Sequence, residues 1–191
     1  IERADSLIWD AHKMMRVPAL CTAVLYKKYN SQINTFQQKG SYVFHEGDVI
    51  GMDSMPFTVE CTKSALGTKL YWSFALEGEK SISVFVEKSF QQARNLYKYL
   101  NEHPDFYCPY VPESNILCFQ FRPDILSNKQ QLELRYKLIE TGDFYITSCE
   151  VQGKRYLRTV LMNPLSQKKE YKALVDKIKE IADKIIKDTQ K

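Results

Sequence analysis

The sequence predicts a mixed α/β chain whose C-terminal half is an α+β unit, and three observations carry that prediction. Period-two apolar runs alternate with helical-period runs along the chain, a Gln152-Gly153 pair separates two strand-like segments, and the last 25 or so residues form one amphipathic stretch. With 191 residues, 44% hydrophobic and 13% aromatic, the chain can bury a sizeable core in one or two domains.

The elements follow in order. Ser6-Leu7-Ile8-Trp9 and Cys21-Thr22-Ala23-Val24-Leu25-Tyr26 are apolar and rich in β-formers, which predicts two strands flanking a short connection. Residues 30–56 carry three glycines (Gly40, Gly47, Gly51) and little periodicity, the pattern of a mobile functional loop. Leu66, Leu70, Tyr71, Phe74 and Ala75 predict a largely buried helix from Thr62 to Glu77, closed by Gly78. Ile82, Phe85, Val86, Ala93, Leu96, Tyr97 and Leu100 predict a second helix, stopped by His103-Pro104.

Beyond Pro104 the period changes to two. Segments 106–111 and 116–121 read as strands, 128–140 as a helix closed by Thr141-Gly142, and 144–151 and 155–162 as a hairpin about Gln152-Gly153. Ser166 is the expected cap of a final helix. There Leu174, Val175, Ile178, Ile181, Ala182 and Ile185 form one apolar stripe against a lysine-rich face. No fixed repeat recurs, which excludes a solenoid.

Charge and cysteine usage remove several function classes. Of the net +4, the segment from Ser166 onward carries +3, so basic residues are not gathered with aromatics on a nucleic-acid face. The longest apolar run, Pro18 to Tyr26, is far short of the ~20 residues of a membrane helix, and the chain is expected to be soluble and cytoplasmic. Cys21, Cys61, Cys108, Cys118 and Cys149 are odd in number and irregularly spaced, with no C-x-x-C pair, so a metal site is not expected and reduced thiols are. The chain starts abruptly at Ile1-Glu2-Arg3, with neither an initiator methionine nor a signal peptide, and reads as the latter part of something longer.

The most informative segment is Asp10-Ala11-His12-Lys13, followed by Met14-Met15-Arg16-Val17-Pro18. On the residues alone, Lys13 is either an ordinary solvated lysine or, between two buried strands, an amine of lowered pKa able to act as a nucleophile. His12 alone is more often a structural residue than a ligand.

The stretch Trp9 to Ala23 resembles the lysine segment of the group II, fold-type I pyridoxal-phosphate-dependent amino-acid decarboxylases, which include the glutamate, cysteine sulfinate, aromatic amino-acid and diaminobutyrate enzymes. In that family a His-Lys pair follows Asn-Pro, a Met/Leu-rich stretch comes next, and a Cys-Ser run begins the following strand. Gly40-Ser41-Tyr42-Val43-Phe44 resembles the family's catalytic loop. Cys61 to Lys69 resembles its Cys-Gly-Arg-x-x-Asp-x-x-Lys segment, and Arg158 to Pro164 its Arg-x-x-x-x-Asn-Pro strand.

This resemblance implies a fold: the end of a large mixed-sheet cofactor domain (residues 1–78, including mobile loop 30–56) plus a small C-terminal α/β domain (79–191). It also implies roles. Lys13 would carry pyridoxal 5'-phosphate covalently, His12 would lie at its phosphate, and Tyr42 would protonate the α-carbon after CO₂ leaves. Arg158 would pair with a substrate carboxylate and Thr62 would line the substrate side chain's pocket. Each has a plain alternative: a packed histidine, a loop aromatic, a strand salt bridge.

Three departures bear on substrate. Asp10-Ala11 replaces Asn-Pro and brings a carboxylate near the expected phosphate, so Asp10 must point away, be protonated or be neutralised. Thr62-Lys63 replaces Gly-Arg, which narrows the pocket and suits a small polar amino acid, acidic or otherwise, over a large aromatic one. Leu66 replaces the family's acid. The family's acid at the pyridinium nitrogen lies upstream of the lysine, so an upstream segment or companion chain is expected, as is a homodimer in which Tyr42 can act across subunits. An aminotransferase or lyase of the same fold type and a non-catalytic association subunit are the competing readings.

Overall fold

The computed structural model describes residues 1–28, 31, 35, 36 and 64–189. These divide into two compact units, 1–82 and 83–191. The expected loop 30–56 lies almost entirely outside the described residues.

In the first unit β1 (Ser6–Asp10) and β2 (Thr22–Tyr26) pair antiparallel, from Ser6 opposite Tyr26 to Asp10 opposite Thr22. The connection folds back as a set of tight turns, in which Lys13 N donates to Asp10 O, Arg16 N to Lys13 O and Val17 N to Ala11 O. Ala11, Val17 and Cys21 are buried there, with Met15, Leu66 and Leu70 packed on them.

Helix α1 spans Leu66–Asn101 with a break at Gly78 (φ 74, ψ 156). The two expected helices therefore form one interrupted element, and Gly78 occupies a left-handed φ that side chains resist. The expected burial of its first half is corrected. Leu66 and Leu70 are partly covered, whereas Tyr71, Trp72 and Phe74 are exposed, and Leu76 is 81% exposed. Apolar residues there point in more directions than the small Ala11–Val17–Cys21 cluster can cover.

The second unit is a four-stranded antiparallel sheet in the order β3-β4-β6-β5, with β3 Phe106–Tyr107, β4 Ile116–Phe121, β5 Thr147–Val151 and β6 Lys154–Val160. Helix α2 (Asn128–Glu140) packs on β6 and β5, and α3 (Lys168–Thr189) packs on α2. Alternation places Leu117, Phe119 and Leu157, all with 0% exposure, in one core with Leu134, Leu138, Ile178 and Ile185 of the two helices. The whole expected stripe of the last helix is buried.

Three local expectations shift. β3 is two residues long because Pro109 has no N–H for a ladder. β5 begins only at Thr147, where pairing to Arg158 begins. Ser166 is not the cap of α3. Gln167 stands before its first turn and donates its N–H to Glu170 Oε2 (2.8 Å), while Ser166 O accepts from buried Gln92 (3.1 Å). The hairpin is as expected: Gln152 (φ 51) and Gly153 (φ 73) both take positive φ, as the two-residue turn between these strands requires.

One charge network closes the end of β4. Arg122 donates from Nε to Asp105 Oδ1 (2.7 Å) and from Nη1 to Asp183 Oδ1 (2.8 Å). The Arg122 hydrogen bond holds the Asp105 carboxyl below its ordinary value. The native state thus binds that proton more weakly than the unfolded chain, so the pair's contribution is present above pH ~4 and is lost as pH falls through the lowered native value. Replacing Arg122 by Gln is expected to flatten the dependence of unfolding midpoint on pH below about 4, measured by urea denaturation across pH. An unchanged acid slope would assign it to other carboxylates.

Candidate active site

The β1–β2 register explains why His12 and Lys13 stand where they do. Asp10 and Thr22 are the last pair of the ladder, so the chain leaves β1 directly into Ala11-His12-Lys13 and returns at Cys21. His12 N donates to Cys21 O (3.1 Å), continuing the pairing by one step. The imidazole is held over the same residue, its Nδ1 lying 2.9 Å from Cys21 O and 3.2 Å from Cys21 N, with Thr22 Oγ1 at 3.4 Å. With Cys21 N donating to Nδ1, the ring is fixed with its proton on Nε2, which has no partner among the described residues. Nε2–H is then a donor for an anion.

Lys13 Nζ lies 2.6 Å from Asp10 Oδ2, and Thr22 Oγ1 donates to Asp10 Oδ1 (2.7 Å). These two hydrogen bonds, Lys13 first, lower the Asp10 pKa, so the carboxylate that departs from the family pattern is ionised and neutralised by the lysine beside it. Apolar walls around Lys13 are not found among the described residues. Its side chain is 64% exposed, because Ala11, Val17 and Cys21 turn into the small cluster while Lys13 points the other way.

Lys69, part of the segment that resembles Cys-x-x-x-x-x-x-x-Lys, donates to Ala19 O (3.3 Å) and Leu20 O (3.4 Å), tying α1 to the connection that carries the lysine. Arg16 pairs with Glu77 (3.5 Å) beside a groove of about 290 Å³ lined by Met15, Pro18, Lys69 and Trp72.

Arg158 belongs to the second unit, in the middle of β6, opposite Cys118 of β4 and Thr147 of β5. It is partly exposed, its Nη1 reaches Thr147 Oγ1 (3.4 Å), and it forms no ion pair among the described residues. A guanidinium held by a hydroxyl keeps its bidentate fork available for a carboxylate. Tyr42 and Thr62 lie outside the described residues. His12 and Lys13 are thus brought together in one turn, and Asp10, recognised in the sequence only as a departure, joins them. Sequence reading missed the thiol pair Cys118–Cys149, Sγ to Sγ 3.6 Å, because nothing in a linear spacing of 31 residues signals contact across a sheet.

The residues present suit two ends of a pyridoxal phosphate: an accessible amine for the aldehyde, and an adjacent ring N–H for the phosphate. Asp10 is compatible with that anion only while Lys13 or another cation offsets it.

Comparison with known proteins bears on this site directly. The family model described as the pyridoxal-dependent decarboxylase conserved domain matches residues 1–122. Human cysteine sulfinic acid decarboxylase is 25% identical over 134 residues, covering 69% of this chain and 27% of that protein. The mouse acidic amino acid decarboxylase is 21% identical over 194 residues, covering 93% and 35%. Among solved structures, Oryza sativa TDC with PLP and tryptamine superposes with TM-score 0.81 at 18% identity over 97% of this chain and 40% of that one. Mouse CSAD in apo form gives 0.77 at 18% identity over 95% and 40%. The fold is that of the later part of a fold-type I pyridoxal phosphate decarboxylase, and the chain spans roughly a third of the length of the curated relatives it matches. By its match over residues 1–122, which carries the His12-Lys13 turn, this chain belongs to the pyridoxal-dependent decarboxylase family.

Proposed function

We propose that this chain is the lysine-bearing part of an enzyme that removes the α-carboxylate of a small, acidic L-amino acid as CO₂. The family match over the His12-Lys13 turn is the observation that carries the reading. Pyridoxal phosphate, when bound, supplies an electron sink for the pair left behind as the carboxylate departs.

The chain's own residues do the rest. Lys13 would hold the cofactor through its amine, released from its 2.6 Å contact with Asp10, whose carboxylate is held ionised. His12, oriented by Cys21, offers Nε2–H to the phosphate. Arg158 pairs with a substrate carboxylate, Thr62 gives the pocket a hydroxyl, and Tyr42 returns a proton to the α-carbon. The acidic preference is supported by those polar groups and by relatives whose names specify cysteine sulfinate and acidic amino acids.

The remainder of the large domain, as an upstream segment or companion chain, belongs to the functional unit, together with a second subunit. Support comes from β1 and β2, where Ile8 is 67%, Leu25 56% and Val24 47% exposed. A two-stranded ribbon with apolar side chains left in water is marginal by itself and calls for a larger sheet around it. A cytosolic setting agrees with five cysteines, an odd number at irregular spacing.

The test is CO₂ release by the full-length protein, supplied with pyridoxal phosphate, from aspartate, glutamate, cysteine sulfinate and tryptophan. The acidic substrates are expected to exceed tryptophan by at least about tenfold in kcat/KM, about 1.4 kcal/mol of barrier. Tryptophan as the best substrate would overturn the substrate class, and no release from any would overturn the reaction. Tyr42→Phe is expected to slow CO₂-linked turnover and raise the share of carbonyl products; an unchanged product ratio would favour a transaminase or lyase.

A further inference from the structure

The face of the sheet opposite α2 carries chemistry that the decarboxylase reading does not use. Register places Cys118 (β4) beside Arg158, and Cys149 (β5) beside Tyr156, all on the face away from Leu117, Phe119 and Leu157. The two thiols lean toward each other across β6 until their sulfurs are 3.6 Å apart. Both side chains are only partly buried, and Arg158 and Tyr156 flank them.

We propose that Cys118 and Cys149 form a bidentate site for a thiophilic, pyramidal centre of the trivalent-arsenical class. Geometry selects that class. A disulfide would have to span two strand spacings, roughly 9–10 Å between backbones, beyond the ~7 Å that a disulfide tolerates. A single bridging atom bonded to both sulfurs meets no such limit. With bonds of about 2.3 Å, as in thiolate complexes, it spans 3.6 Å at an angle near 103°, which fits a pyramidal centre and rejects a linear two-coordinate ion.

Charge argues the same way. Among the described residues no group of three metal-ligating side chains exists to complete a tetrahedral cation site, and the Arg158 guanidinium nearby repels a dication. Burial pushes the Cys118 thiol up to about 11, so it stays protonated and slow toward oxidants. Condensation with an organoarsenic oxide starts from neutral thiols. Two S–H bonds and the As=O bond break, two As–S bonds form and one water leaves, with no change of oxidation state at sulfur or arsenic. The adduct would sit on β6 against Arg158; resting on the role proposed above for that residue, it would obstruct the substrate carboxylate.

The test is titration of the full-length protein, loaded with pyridoxal phosphate, with phenylarsine oxide. One equivalent is expected to consume two titratable thiols, add one phenylarsenic group by intact mass, and be removed by a dithiol but not by a monothiol. Cys118→Ser and Cys149→Ser should each weaken the adduct by at least about a hundredfold, because a chelate's second bond is effectively intramolecular. Failure to form the adduct on the folded protein, or its persistence in the double serine variant, overturns the site. Loss of CO₂ release with the cofactor's visible absorbance unchanged supports the Arg158 link. An adduct without inhibition keeps the thiol site and overturns Arg158 as the carboxylate partner.

Discussion

Lys13→Ala is expected to reduce decarboxylation by at least about a thousandfold, some 4 kcal/mol of barrier, and to abolish covalent retention of the cofactor while leaving the fold intact. The reasoning starts from exposure. Lys13 contributes no packing, its side chain being 64% exposed, and its single ion pair with Asp10 lies at the surface, where such pairs contribute little to stability. Its removal therefore separates chemistry from folding, which few active-site substitutions permit.

The measurements are CO₂ release and retention of pyridoxal absorbance after borohydride reduction and denaturation. Retention in the alanine variant would place the attachment on another lysine. Asp10→Asn sharpens the result. It restores the residue found in the family pattern and removes the carboxylate that pairs with Lys13. If Asp10 only offsets charge, Asn improves cofactor affinity; an affinity that falls would mean that the ion pair positions the Lys13 amine.

Much of this architecture was legible in the sequence, and the reasons differ by element. The Gln152-Gly153 hairpin and the apolar stripe of α3 were readable because each is a local rule: positive φ at two adjacent turn residues, and a 3.6-residue period over roughly three turns. The burial of α1's first half was not, because periodicity marks which residues are apolar, not whether anything covers them. Tyr71, Trp72 and Leu76 stay exposed among the described residues. The Ser166 cap failed because Gln167 holds that position: its carbonyl accepts from Glu170 N and Tyr171 N, and Glu170 reaches back to its N–H. At the candidate site the His12-Lys13 pair was legible by motif. The Asp10–Lys13 contact was foreshadowed only as a carboxylate needing neutralisation, since an i,i+3 contact in an irregular turn has no periodic signature.

Gln131→Met is expected to destabilise the second unit by about 3 kcal/mol, although it replaces a polar side chain by an apolar one of similar size. Gln131 has 0% exposure and faces Phe121 at the end of β4. There the ladder to β6 has ended, its last pair being Phe119 with Leu157. The Gln131 amide takes over: its Oε1 accepts from Phe121 N (3.3 Å) and its Nε2 donates to Phe121 O (2.7 Å). A side-chain amide thus supplies both halves of a peptide's pairing at the point where the strand runs out, and it does so from α2, joining helix to sheet by hydrogen bonds as well as by packing. Met is close to Gln in length and shape, so it leaves no large cavity, but it strands a buried donor and a buried acceptor that water does not reach. Each unsatisfied group costs roughly 1–3 kcal/mol, which sets the expected total. Chemical denaturation of the wild type and Gln131→Met, with Gln131→Glu as a variant that keeps an acceptor for Phe121 N but loses the donor to Phe121 O, measures the two bonds separately. A Met variant as stable as wild type would mean that β4 recovers its pairing without α2, and that packing alone holds the helix to the sheet.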